Sequence, residues 1–172
     1  MLLENILNDK ILKAKVKTEN ISRGVLDGKI NIDDLLKTAA AAKDPNKATC
    51  IEALEFATKT NPGIATKKCF KFVTETLSAK APRVKWESAK VIANVAHLYQ
   101  KDLDEAITNL LINTEHEGTV VRWSSAVALG EIIKLKTKHN KDLVPAIQQI
   151  CENEKQNSIK KIYLKALAQI KK

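Results

Sequence analysis

The segment from Val121 to Ile132, VRWSSAVALGEI, recurs along this chain at a near-constant interval. One copy begins 37 residues earlier and runs from Val84 to Val95. A looser copy lies 38 residues later, from Ile159 to Ile170, and a faint one lies 38 residues before the first, from Asn46 to Ala57. An interval of this length with helical patterning inside each copy predicts an α-solenoid, in which every unit buries its apolar face on the next one. That architecture builds extended surfaces rather than enclosed catalytic pockets, so function becomes a question of which surface stays free.

Helix-start signals fall where helix pairs need them. Asn31 precedes acidic Asp33 and Asp34, as an N-cap should. Asp44-Pro45 and Asn61-Pro62 read as a cap followed by proline in the first turn, and Pro82 opens a further helix. Asp102 with Glu105 suggests a capping box, Thr119 a cap for the best copy, and Asp142 a cap that leaves Pro145 in a first turn. The pairs predicted are 32–42 with 46–60, 62–79 with 82–100, 102–114 with 119–137, and 142–153 with 157–171. Residues 1–28 fit the period poorly and read as an N-terminal capping segment. The expectation is one repeat domain over 1–172, with repeats at about 29–60, 61–100, 101–138 and 139–172.

Aromatic residues make up only 4% of the chain, so the core must be aliphatic and alanine-rich, which suits close-packed helices. No apolar run has the length of a membrane span, and the start lacks the pattern of a signal peptide. Three cysteines, Cys50, Cys69 and Cys151, show neither metal nor redox spacing and read as reduced thiols of a cytoplasmic protein. The net charge of +9 favours an acidic partner. The excess is shared between the two halves, but no acidic residue follows Glu154, whereas Lys155, Lys160, Lys161, Lys165, Lys171 and Lys172 do.

The best copy resembles the second helix of a HEAT repeat, in the variety written V-R-x-x-A-A-x-A-L-G-x-I. Val121, Arg122, Ala126, Ala128, Leu129, Gly130 and Ile132 match, and Ser125 replaces an alanine. The copy at 84–95 keeps Val84, basic Lys85, Ala89 and Val95; that at 159–170 keeps Ile159, Lys160, Ala166, Leu167 and Ile170. The resemblance implies an all-α, right-handed α-solenoid of about four HEAT-like helix pairs whose second helices line a concave surface. It also implies that Arg122 pairs with an acid or a carbonyl of an adjacent repeat.

At about 100° per residue, Val121, Ser125, Ala126, Ala128, Leu129 and Ile132 share a packing side, with Ala89, Ile92 and Val95 their counterparts one repeat earlier. Trp123, Val127 and Lys134 face away, as do Trp86, Lys90 and His97, then Lys161, Lys165 and Lys172. Trp86, Lys90, Trp123, Lys161 and Lys165 therefore form the expected partner-binding strip. Indole supplies contact area and lysine long-range attraction, a combination used by protein interfaces and by nucleic-acid grooves.

No phosphate-binding loop, nucleophile elbow, zinc-protease motif or CxxC is present, and His97, His116 and His139 are scattered. Neither catalytic residue nor metal nor cofactor is expected. The reading is a cytoplasmic, non-catalytic scaffold for a protein partner with an acidic segment. The alternative is nucleic-acid binding, including the activity of HEAT-like DNA glycosylases on alkylated bases, which use tryptophans and a carboxylate in a basic groove. Glu52, Glu87 and Glu131 are the carboxylates that reading would draw on.

Overall fold

The computed structural model describes residues 2–171, and every regular element among them is helical. The α-helices are α1 (Leu2–Asn8), α2 (Ala14–Leu26), α3 (Ile32–Ala41), α4 (Asp44–Thr60), α5 (Lys67–Thr76), α6 (Pro82–Val95), α7 (Asp104–Asn113), α8 (Thr119–Lys134), α9 (Asn140–Asn153) and α10 (Asn157–Ile170). Short 3-10 turns follow α4 (Pro62–Ile64) and α6 (Ala96–Leu98). No helix among the described residues is long and apolar enough to cross a membrane.

The helices form an α-solenoid. One row runs α2, α4, α6, α8, α10, each member packed along the next; α3, α5, α7 and α9 back that row as first members of the pairs. A single apolar cluster runs from Leu3 to Leu167. Ala89, Ile92 and Val95 of α6 and Ala126, Leu129 and Ile132 of α8 are buried, as the repeat predicted. Gly130 sits where α8 meets α10, and a Cβ added there would stand 3.2 Å from the Ala166 Cβ. The glycine of the repeat pattern thus marks a close helix–helix approach. Residues 1–28 contain two helices; α2 extends the row of second helices, with Ile21 and Val25 buried against it. The turn after α2 closes on Gly28, at φ +71, where a side chain would be strained.

Several helix starts differ from the sequence expectation, each for a local reason. Asn31 does cap α3, its side chain accepting from the Asp33 amide at 2.8 Å. Asp44 instead lies inside the first turn of α4, after Lys43, where its charge still meets the positive helix end. Asn61 caps the 3-10 turn by accepting from Gly63, and α5 begins later, capped by Thr66 through the Cys69 amide at 3.1 Å. Leu103, not Asp102, precedes α7; Asp102 turns outward to Lys67 at 3.0 Å. Gly118 precedes α8 and Thr119 is its first residue. Helix α9 starts at Asn140, which puts Pro145 inside it rather than in the first turn.

Candidate partner-binding face

The exposed sides of α4, α6, α8 and α10 lie next to one another, and the residues of the predicted strip differ sharply in their surroundings. Trp86 is half-buried, and its indole Nε1 donates to Glu87 Oε1 at 2.7 Å. Lys90 Nζ donates to Glu87 Oε2 at 3.0 Å and stands 3.4 Å from Glu55 Oε2. The Glu55 and Glu87 side chains are only 6% and 4% exposed, so Lys90 is their shared counter-ion and not a free cation. Burial, with the Glu52 charge adding to it, holds the Glu87 carboxyl above its ordinary range despite Lys90 and Trp86. Burial also works against the Lys90 charge, but two carboxylates outweigh it and push that pKa up.

A second junction lies beside the first. Glu52 Oε2 accepts from Arg83 Nη2 and from Thr18 Oγ1, both at 2.8 Å, tying α2, α4 and α6 together. Asn94 Nδ2 donates to the Glu55 carbonyl at 3.0 Å and to Thr58 Oγ1 at 3.1 Å. Of these partners, Glu55, Thr18, Arg83 and Asn94 were not legible as members of the face. The available signal was that Glu52 and Lys90 share one repeat position with opposite charges.

From α8 onward the face changes character. Trp123 is 39% exposed and Val120 is 49% exposed, so the free side of α8 is apolar at its start. Lys134 at its end pairs with Glu131. Lys161 and Lys165 of α10 are exposed, with no ion pair or hydrogen bond from their side chains among the described residues. Lys172 lies outside the described residues.

Arg122 sits at the edge of the packing side, as the resemblance implied. Its Nε donates to Glu154 Oε2 of the next repeat at 3.0 Å, and Nη1 donates to the carbonyls of His116 and Glu117. Lys85, one repeat earlier, bridges in the same way to Asn113 Oδ1 at 2.8 Å and to the Leu77 carbonyl at 3.2 Å. These basic positions are inter-repeat ties. His116 Nδ1 accepts from the Gly118 amide, and among the described residues no group of His, Cys, Asp or Glu is placed to hold a metal ion. The Cys50 and Cys69 thiols are buried, and burial pushes both up to about 12, out of reach of nucleophilic chemistry at neutral pH.

The same arrangement of helices occurs in engineered repeat proteins. An engineered protein superposes with a TM-score of 0.74 at 18% identity, over 98% of this chain and 79% of that one. A designed armadillo repeat protein in complex with the peptide (KR)4 superposes with a TM-score of 0.71 at 15% identity, covering 98% and 80%. A second designed armadillo repeat protein gives 0.68 at 14% identity, with the same coverage. The fold is that of a helical-repeat solenoid. Identities this low speak for the fold alone. No protein-family model matches the chain, and no curated protein matches its sequence.

Proposed function

We propose that this chain is a HEAT-like, non-catalytic scaffold whose face of second helices holds an acidic segment of a protein partner. Two helices per repeat, rather than three, favour the HEAT form over the armadillo form, as does the VRWSSAVALGEI pattern on α8. The observation that carries the binding role is the exposed Trp123 of α8 with the unpaired Lys161 at the same repeat position on the adjacent α10, and the unpaired Lys165 one turn further along. Trp86 continues the aromatic surface onto α6, and Lys90 holds it in place through Glu87. The solved designed armadillo protein in complex with the peptide (KR)4 supports the idea that this architecture can hold a charged peptide, there a basic one. Buried, unbridged cysteines support a reducing, cytoplasmic setting.

The glycosylase reading finds its carboxylates already engaged: Glu52 with Arg83 and Thr18, Glu87 with Trp86 and Lys90, and Glu131 with Lys134. Fluorescence anisotropy with a labelled acidic peptide and with single- and double-stranded oligonucleotides, across a salt series, tests the proposal. The peptide should bind, and charge reversal at Lys161 and Lys165 should weaken it by about tenfold or more. Tighter binding of the oligonucleotides with a steep logarithmic salt slope would move the assignment to nucleic acid.

A further inference from the structure

The cations of this face fall into paired and unpaired groups, a pattern that net charge conceals. Arg83, Lys90 and Lys134, in its middle, each hold a carboxylate. Arg23 of α2 and Lys59 of α4 are exposed, and their side chains have no ion pair or hydrogen bond among the described residues. Lys161 and Lys165 of α10 are free in the same sense at the other end. Between the two free pairs lie the apolar groups: Phe56 at 37% exposed, half-buried Trp86, Val120 and Trp123. Phe56 and Leu26, with Ser22, Arg23, Glu19 and Asp27, line a shallow cavity of about 370 Å3 between α2 and α4; the two acids are held by Lys15 and Lys29, which leaves Arg23 as its unpaired charge among the described residues. It lies one turn beyond the Thr18–Glu52 bond, on the same side of both helices.

We infer that the partner segment is an extended chain with acidic residues at both ends and apolar residues between them. The inference rests on the reading of this face as the docking surface for an acidic protein segment. Charge complementarity sets the order: unpaired cations attract carboxylates, whereas the paired cations of the middle are already neutralised and add no field. The apolar middle gains from covering indole and phenyl rings, and the cavity beside Phe56 accepts one side chain. The interval also follows. From α4 to α10 is three helix spacings of about 8–10 Å each, or about 24–30 Å. An extended chain rising about 3.3 Å per residue crosses that in about seven to nine residues. The two acidic clusters should therefore be about that far apart.

The experiment uses the full chain and three labelled peptides of identical composition. One has its acids split between ends about seven to nine residues apart around an apolar middle, one has them gathered in the centre, and one has the split pattern with the interval halved. The split peptide at full interval should bind about tenfold more tightly than either of the others. Arg23→Glu with Lys59→Glu, both exposed, should erase that advantage while leaving the affinity for the gathered peptide unchanged. Equal affinity for all three overturns the two-ended pattern and leaves the acidic-partner reading standing. Failure of every peptide to bind, or their displacement by oligonucleotides at equal charge, overturns both.

Discussion

Lys90 and Lys165 occupy the same position of the repeat, two units apart, and do different things. Lys90 is sunk between two buried carboxylates and completes the packing of α6 on α4. Lys165 projects from α10, exposed and with no ion pair or hydrogen bond from its side chain among the described residues. The α4–α6 part of the face is thus an internal network that reaches the surface, while the α8–α10 part is a surface in the ordinary sense. A lysine can be structural or available depending on what its neighbouring repeat presents, and equal repeat offset does not imply equal role. Trp86 and Trp123 repeat the lesson: one indole is tied to Glu87, the other is 39% exposed and makes no hydrogen bond among the described residues.

The most damaging change should be one beneath both parts. Leu129 is fully buried in α8, between α6 and α10. Leu129→Ala should cost about 2–5 kcal/mol in chemical denaturation, by lost transfer energy and the cavity left behind. A cost below about 1 kcal/mol would mean that the two parts do not rest on a common core.

Lys90→Ala strikes only the network. It leaves Glu55 and Glu87 buried without a cation and should cost about 3 kcal/mol, the low end for breaking a buried pair, because Lys90 is partly solvated and Glu87 can take up a proton. The pH dependence has a definite sign. A carboxyl whose folded pKa lies above the unfolded value binds its proton more tightly when folded, so it stabilises most at acid pH and loses that stabilisation as pH rises through the folded pKa. Removing Lys90 takes away an influence that lowers the Glu87 pKa. The deficit of the variant against the parent should therefore be smallest near the ordinary glutamate pKa and grow towards neutral pH. Thermal melts across that range measure it, and a pH-independent deficit would show that Glu87 is not the responsive group.

The tryptophans should separate by a smaller margin. Trp86→Ala loses half-buried ring contacts and the bond to Glu87, at about 2 kcal/mol. Trp123→Ala should cost less than Trp86→Ala, because its 39%-exposed ring gives up less buried surface and no hydrogen bond, yet it should be the more harmful of the two for peptide binding. Equal melting temperatures for the two variants would erase the distinction between the parts of the face. The smallest effect belongs to Lys165→Ala, expected within about 0.5 kcal/mol of the parent in stability, with weaker binding of the acidic peptide as its only consequence. A stability loss comparable to that of Lys90→Ala would make the two lysines equivalent after all.

What was legible in the sequence follows from periodicity. The interval of 37–38 residues and the apolar positions Ala89, Ile92, Val95, Ala126, Leu129 and Ile132 could be read directly, because helical geometry maps sequence offset onto angle and repeat offset onto adjacency, whereas the inter-repeat role of Arg122 came from the HEAT resemblance. Helix starts were less legible. Asp44, Asn61, Asp102 and Thr119 are all competent caps, yet α4, α7 and α8 begin after Lys43, Leu103 and Gly118 with no side-chain cap, and Asn61 caps only the 3-10 turn, so capping competence alone did not set the helix starts. The helical wheel also placed Trp86, Lys90, Trp123, Lys161 and Lys165 on one outward side, but it has no knowledge of the adjacent helix. Whether a charge is free depends on partners such as Glu55 and Glu52, more than thirty residues away in the chain, whose reach across the α4–α6 boundary is set by side-chain packing. The sequence by itself therefore determined the scaffold, through local and repeated interactions. The i,i+3 pairs Glu87–Lys90 and Glu131–Lys134 lie within single helices, but only the tertiary structure decided that Glu87 is buried, that Glu55 joins it on Lys90 and that Arg83 holds Glu52, because contacts across repeats are long-range and no single helix encodes them.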